Sequence, residues 1–234
     1  MLWDLDGTLV DSEPAWFAAE SAMVQRFGGT WSTEQALELT GSDLNRTAAV
    51  LQSAGVVMEA HELIRALVEA VAEQVLATRP WMPGVREALI ECREAGVPCG
   101  LVSMSWRPFT TAVAGLLPGA FAVVVSGDDV NRGKPDPEAY LTGAAKLGLR
   151  PADCIAIEDS PTGIASALAA GIPTVGVPNP LAGGIMPTPG LTVLRSTEEV
   201  TLELLRRVHS ESRVPPLRTA GTCPGTSTSR TTAL

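Results

Sequence analysis

The chain has 234 residues, of which 45% are hydrophobic and only 18% charged, with a net charge of −9. That length and apolar content support one large or two modest domains around a real core and argue against wholesale disorder. The acidic balance argues against nucleic acid or an anionic lipid surface as the main partner.

In chain order, residues 1–5 read as the end of a strand, with only Met1, Leu2 and Trp3 ahead of the first acid. Residues 13–83 change character. They are rich in Ala, Glu, Leu and Gln, and Leu37, Leu44, Val50 and Leu51, then Leu63, Leu67, Val71 and Val75, follow a helical period. Capping residues lie at 30–34 and a helix stop at Gly28-Gly29, so a helical subdomain is expected here.

From Pro83 the pattern alternates. Helices are expected near 85–94, 109–117, 137–147 and 162–170, and strands near 98–103, 121–125, 154–157 and 174–177. Short apolar strands alternating with helices predict βαβ units: an α/β, Rossmann-like doubly wound parallel sheet with an inserted helical cap. The expected division is a core of 1–12 and 84–212, a cap of 13–83 and a tail of 213–234. Thirteen of the 22 tail residues are Thr, Ser, Gly or Pro, so disorder is expected there.

No apolar run approaches the ~18 residues of a membrane span; the longest, 112–125, is broken by Pro118. No basic-then-apolar leader opens the chain. Cys92, Cys99, Cys154 and Cys223 lack C-x-x-C spacing, and His61 and His209 are far apart, which makes a zinc site improbable. Scattered cysteines in a chain of this size suit a reducing cytoplasm. A cytoplasmic monomer with no membrane or nucleic-acid partner is expected.

Sheets of this kind carry their chemistry at the carboxyl ends of the strands. Asp4-Leu5-Asp6-Gly7-Thr8 puts two carboxylates two residues apart at such an end. One can attack phosphorus while the other handles the proton on the leaving oxygen. Their repulsion calls for a cation, and oxygen ligands suit magnesium. A calcium loop is excluded by spacing, because its fifth position would be Thr8 and its glycine comes two places early. Ser103 ends the strand at 98–103, where a hydroxyl and the following amides of Met104 and Ser105 can hold phosphate oxygens. Lys134, in Gly-Lys-Pro-Asp-Pro, can neutralise phosphate charge; taken alone, each residue reads rather as the bland alternative, Ser103 as a turn residue and Lys134 as a surface lysine. Glu158 and Asp159 follow an apolar strand, as magnesium ligands or as the N-cap of the next helix. Arg46 and Arg107 are candidate substrate contacts or solvated helix residues.

The order acid pair, Ser, Lys, acid pair, each after an expected strand, resembles the haloacid dehalogenase-like superfamily of phosphotransferases, from about residue 2 to residue 177. The stretch Ile157-Glu158-Asp159-Ser160-Pro161-Thr162-Gly163-Ile164 is similar to the branch of β-phosphoglucomutase and sugar-phosphate phosphatases, in which a helical cap follows the first motif. The resemblance implies Asp4 as nucleophile and Mg2+ ligand. It implies Asp6 as general acid/base with its carbonyl on the metal, and Ser103 and Lys134 on the phosphoryl group. Asp159 would be a direct Mg2+ ligand and Glu158 a ligand through water. The strand ahead of Asp4 is shorter than is usual in that family.

Within the resemblance, Asp6 argues against carbon–halogen cleavage, and the absence of lysine from residues 12–83 argues against a Schiff-base reaction on the cap. Nine acids against four arginines in that segment, and Thr8, favour a phosphatase of a small phosphorylated metabolite over a phosphosugar mutase. A non-catalytic phosphate-binding module is the third reading.

Overall fold

The computed structural model describes residues 1–40, 42–177, 179 and 184–212. The tail expected to be disordered, 213–234, lies outside the described residues.

Six strands form one parallel sheet: β1 (Leu2–Trp3), β2 (Gly100–Val102), β3 (Val123–Val125), β4 (Ala156–Glu158), β5 (Thr174–Gly176) and β6 (Leu191–Val193). Their spatial order is β3-β2-β1-β4-β5-β6. The chain thus runs outward from β1 in one direction and then starts again beside β1 in the other. This reversal between β1 and β4 is the topological switch point where doubly wound sheets open a crevice. β1 needs only two residues because both neighbours hold it: Asp4 N donates to Ile157 O at 3.0 Å, and Leu2 N to Ile155 O at 2.7 Å. Leu2 and Trp3 are wholly buried, as a central strand covered on both faces requires.

Helices α1 (Glu13–Arg26), α2 (Thr33–Leu37), α3 (Leu44–Ser53) and α4 (Ala60–Thr78) follow β1 in sequence. α1 stops just before Gly28. Ser32 and Gln35 form a reciprocal capping box on α2, and Asp43 caps α3 through the Asn45 and Arg46 amides. Leu63, Ile64, Leu67, Val68, Val71 and Val75 form the apolar stripe of α4, all buried where α4 packs against α1, α3 and the next unit. Leu37, expected on a buried face, is 41% exposed; α2 is only five residues long and buries Ala36 instead.

The segment leaves and re-enters the sheet side by side. Asp11 N donates to Pro80 O at 2.9 Å, and Met82 N to Leu9 O at 2.8 Å. The core resumes with α5 (Val85–Glu94), α6 (Arg107–Gly115), α7 (Glu138–Lys146) and α8 (Pro161–Ala169), and closes with α9 (Leu202–Ser212). β6 and α9 carry no expectation from the sequence. α4 lies against α6; the Trp16 ring of α1 meets Phe109 edge-on at 6.1 Å, and His61 of α4 lies 5.3 Å from Trp106. These contacts hold the four helices over the carboxyl edge of the sheet. No helix among the described residues is long and apolar enough to cross a membrane.

Candidate active site

The candidate residues come from four strand ends. Asp4 follows β1, Ser103 follows β2, and Asp159 follows β4, whose last residue is Glu158. Lys134 arrives on the segment between β3 and α7. A cavity of about 560 Å³ lies above them, roofed by α1 and the start of α3. That size suits a small metabolite.

Lys134 organises the floor. Its Nζ donates to Asp4 Oδ1 at 2.6 Å, Glu158 Oε1 at 2.6 Å and Val102 O at 3.1 Å, with the side chain only 6% exposed. Burial pulls the lysine pKa down, but the charges of Asp4 and Glu158 outweigh that and raise it. Asp4 shows the opposite balance. Burial and then the Glu158 charge push its carboxyl well above the usual carboxylate range, against the pull of Lys134. Asp159 is pushed up to about 7, by burial first and then by Glu158.

Asp4, Glu158 and Asp159 each present a carboxylate oxygen, all within 4.8 Å of one another. With all three ionised, as metal ligands must be, three carboxylates against one lysine leave an excess of two negative charges among buried side chains, the same crowding that raises the Asp4 and Asp159 carboxyls. An all-oxygen donor set with that excess fits a hard divalent cation such as Mg2+. Asp159 faces the cavity, whereas Glu158 lies fully buried behind it. Glu158 Oε2 accepts from the Asp159 and Ser160 amides and the Ser160 hydroxyl, and Oε1 accepts from Tyr140 as well as Lys134. Its carboxylate packs where a side chain at position 163 would be: a Cβ on Gly163 would lie 1.8 Å from Oε1.

Asp6 stands apart from that trio. Its Oδ1 accepts from Ser12 Oγ at 2.6 Å and Trp16 Nε1 at 3.2 Å. Its Oδ2 accepts from Ser105 Oγ at 2.8 Å and Ser103 Oγ at 3.3 Å. Asp4 and Asp6 are therefore separated by different partners, lysine for one and hydroxyls with an indole for the other, although both line the cavity. The turn at Gly7 permits this. Its φ is +79°, and a Cβ there would lie 2.2 Å from Asp159 Oδ2 and 2.4 Å from Asn179 Nδ2.

Met104 lines the cavity, and its Sδ accepts from the Lys134 amide at 3.3 Å. Ser105 lines it too, with its amide donating to Ser103 Oγ at 3.0 Å. The two arginines are not brought in. Arg46 is exposed on α3 outside the cavity lining, where Asn45 and Thr47 face inward instead. Arg107 is tied to Asp129 by an ion pair, with its amide on Asp128. Helix phase turns Arg46 outward, and a local carboxylate claims Arg107.

Several functional contacts are absent from the sequence reading. Asn179 Nδ2 donates to Asp159 Oδ2 at 2.6 Å, and Thr8 Oγ1 to Asp159 Oδ1 at 3.1 Å. Ser12, Trp16 and Tyr140 complete the hydrogen bonding of Asp6 and Glu158. Asn179 carried a usable signal: it is a polar residue just past an apolar strand, as Asp4, Ser103 and Asp159 are. Ser12 and Trp16 sit four apart on one helical turn, but nothing local says that the turn faces Asp6.

The roof is acidic. Glu20 of α1 is buried, and its Oε2 accepts from Trp31 Nε1 at 3.3 Å. Burial pushes its carboxyl up to about 7 from 4.5. The folded protein thus holds this proton at pH values where the unfolded chain has lost it. The associated stability is fully present below about pH 4.5 and is lost as pH rises through 7. Glu20→Gln removes that loss while keeping an acceptor for Trp31. Its stability relative to wild type should rise by about 2–3 kcal/mol between pH 5 and pH 8. Urea unfolding at both pH values measures this, and a pH-independent difference would contradict it.

The sequence matches the family model described as haloacid dehalogenase-like hydrolase over residues 1–177. Among curated proteins it is 35% identical to hexitol phosphatase A of Escherichia coli over 213 residues, covering 86% of this chain and 92% of that protein. It is 33% identical to the β-phosphoglucomutase of Bacillus subtilis over 135 residues, covering 57% of each chain. Among solved structures, CbbY from Rhodobacter sphaeroides in complex with xylulose-(1,5)bisphosphate superposes with a TM-score of 0.79. That match has 22% identity and covers 87% of this chain and 97% of the other.

Proposed function

The chain belongs to the haloacid dehalogenase-like hydrolase family, and we propose that it is a magnesium-dependent phosphatase of a small phosphorylated metabolite, a sugar or polyol phosphate. One observation carries the reading: at the switch point of the sheet, Asp4 is held by Lys134 beside the Glu158–Asp159 pair, with Asp6 oriented separately over the same cavity.

In this reading residues 13–83 are a cap over the core of 1–12 and 84–212. Asp4 attacks the phosphorus of the bound ester in line, forming an aspartyl-phosphate as the ester P–O bond breaks. Asp6 gives a proton to the departing alkoxide, then takes one from the water that attacks the aspartyl-phosphate, and inorganic phosphate leaves. Lys134 and Ser103, with the amides near Met104 and Ser105, hold the phosphoryl oxygens. Asp4, Asp159 and the Asp6 carbonyl would hold Mg2+, with Glu158 behind them fixing Lys134. The ion supplies charge stabilisation of the transferring phosphoryl group when bound. Ser12, Trp16, Ser103 and Ser105 fix which way Asp6 points. Cys92, Cys99 and Cys154 are buried free thiols, which supports a reducing, cytoplasmic setting.

A phosphate-release assay on p-nitrophenyl phosphate and on hexitol and hexose phosphates, with magnesium titrated, tests the reading. Release should be stoichiometric with substrate loss and abolished by chelation. Asp159→Ala should raise the magnesium concentration for half-maximal rate at least tenfold, about 1.4 kcal/mol of metal binding. An isomeric sugar phosphate as the main product would make the chain a mutase. An unchanged magnesium requirement in Asp159→Ala would remove Asp159 from the metal site; the N-cap of α8, expected of the acid pair as an alternative, is Ser160, whose Oγ accepts from the Gly163 amide.

A further inference from the structure

The cavity is unequally charged along its depth. Its floor has Lys134, and that ammonium is already shared between Asp4 and Glu158. Toward the roof the charged lining residues are Glu13 and Glu20 of α1 and Asp43 at the start of α3. Among the described residues lining the cavity, no arginine and no second lysine balances them.

Glu13 and Glu20 are seven residues apart, so both project from one face of α1 about 10 Å apart along its axis. Glu20 is 4% exposed. Each carboxylate has one described donor, and both donors are neutral: Thr40 Oγ1 reaches Glu13 Oε2 at 3.4 Å, and Trp31 Nε1 reaches Glu20 Oε2. Neither forms an ion pair with any described residue. Two largely desolvated carboxylates with spare lone pairs are strong acceptors for hydroxyl groups. A second phosphate or a carboxylate held in the same low-dielectric space would meet only repulsion from them.

We propose that Glu13 and Glu20 are the specificity-determining residues of this cavity. They accept hydrogen bonds from the hydroxyls of an uncharged, polyhydroxylated alcohol and reject esters that carry a second negative group. The substrate class is therefore the monophosphate of a neutral polyol or sugar, not a bisphosphate or a phosphorylated acid. This inference rests on the phosphatase reading above.

Two probes differ only at the end remote from the ester: glucitol 6-phosphate ends in a hydroxymethyl group, 6-phosphogluconate in a carboxylate. At pH 8.5, above the value of about 7 to which burial raises both the Glu13 and Glu20 carboxyls, so that both are ionised, wild-type kcat/KM should favour the former at least tenfold. In Glu13→Gln/Glu20→Gln the size and the neutral hydrogen bonds persist while the charge is gone. The preference should then shrink at least fivefold, through a lower KM for 6-phosphogluconate. Wild-type rates within twofold of each other, or a preference unchanged in the double variant, overturn the inference. The wild-type comparison needs no variant, and each single replacement gives a second measurement if the double variant does not fold. Magnesium-dependent turnover of p-nitrophenyl phosphate separates the two claims. Turnover without discrimination between the probes sinks the specificity assignment alone, whereas no phosphate release from any ester sinks the phosphatase reading and this inference with it.

Discussion

Asp4→Asn should lose at least a thousandfold in kcat, about 4 kcal/mol of barrier, with the fold intact. An amide oxygen cannot form the acyl phosphate, and it is a weaker ligand for a hard cation. The replacement is isosteric, so Lys134 keeps an acceptor at this position and remains paired with Glu158. It also removes one of three crowded carboxylates. The Asp4 carboxyl is held well above its usual range, by burial first and then by Glu158, so ionising it in the folded state is costly. The variant should therefore melt at the same temperature as wild type at neutral pH, or higher. Single-turnover phosphate release and a thermal melt check both halves. Retention of more than a tenth of the wild-type rate would remove Asp4 from the role of nucleophile.

Lys134→Ala should damage stability and chemistry together. The ammonium is the only cation bonded to Asp4 and Glu158 among the described residues, and it also satisfies the Val102 carbonyl. Its removal strands two buried carboxylates. Breaking a buried pair in this way costs about 3–5 kcal/mol. If Lys134 also holds the transferring phosphoryl group as proposed, loss of that donor costs a further factor on the order of 100–1,000 in kcat. Millimolar Mg2+ should restore part of the melting temperature, by supplying positive charge to Asp4 and Asp159, but not the rate. Unfolding with and without magnesium, alongside kcat, reads the two effects separately. A variant within 1 kcal/mol of wild type and more than a tenth as active would show that Lys134 neither pairs these acids usefully nor serves catalysis.

The sheet was legible because its signals are local. The stretches 100–102, 154–157 and 174–177 are short, mostly apolar and separated by helical periods, a pattern that a parallel sheet buried on both faces accommodates. The carboxyl-end rule then selected Asp4, Ser103 and Asp159 without reference to any distance. Leu191–Val193 escaped because it is a half-exposed edge strand with a polar centre, lacking the apolar run that marks the others. Leu202–Ser212 was readable in principle, since Leu202, Leu205 and Val208 recur every three residues and are buried, but the polar residues between them dilute the pattern.

By itself the sequence determined the chemistry available: two acids after the first strand, a lysine in a Gly-Lys-Pro turn outside the helical insertion, an acid pair before a capped helix, and an insertion poor in positive charge. Each follows from residue type and spacing along the chain, which a linear string records in full. Only the tertiary structure decided how those groups divide the work. Strand order put β1 beside β4, so Lys134 bridges residues 130 and 24 positions away. The packing of α1 over the sheet gave Asp6 to Ser12 and Trp16, and turned Glu13 and Glu20 into the cavity. Helix phase left Arg46 outside, and the nearby carboxylate of Asp129 took Arg107. Partner choice depends on which surfaces meet in space and which competing charge lies nearer, and neither is a function of sequence distance.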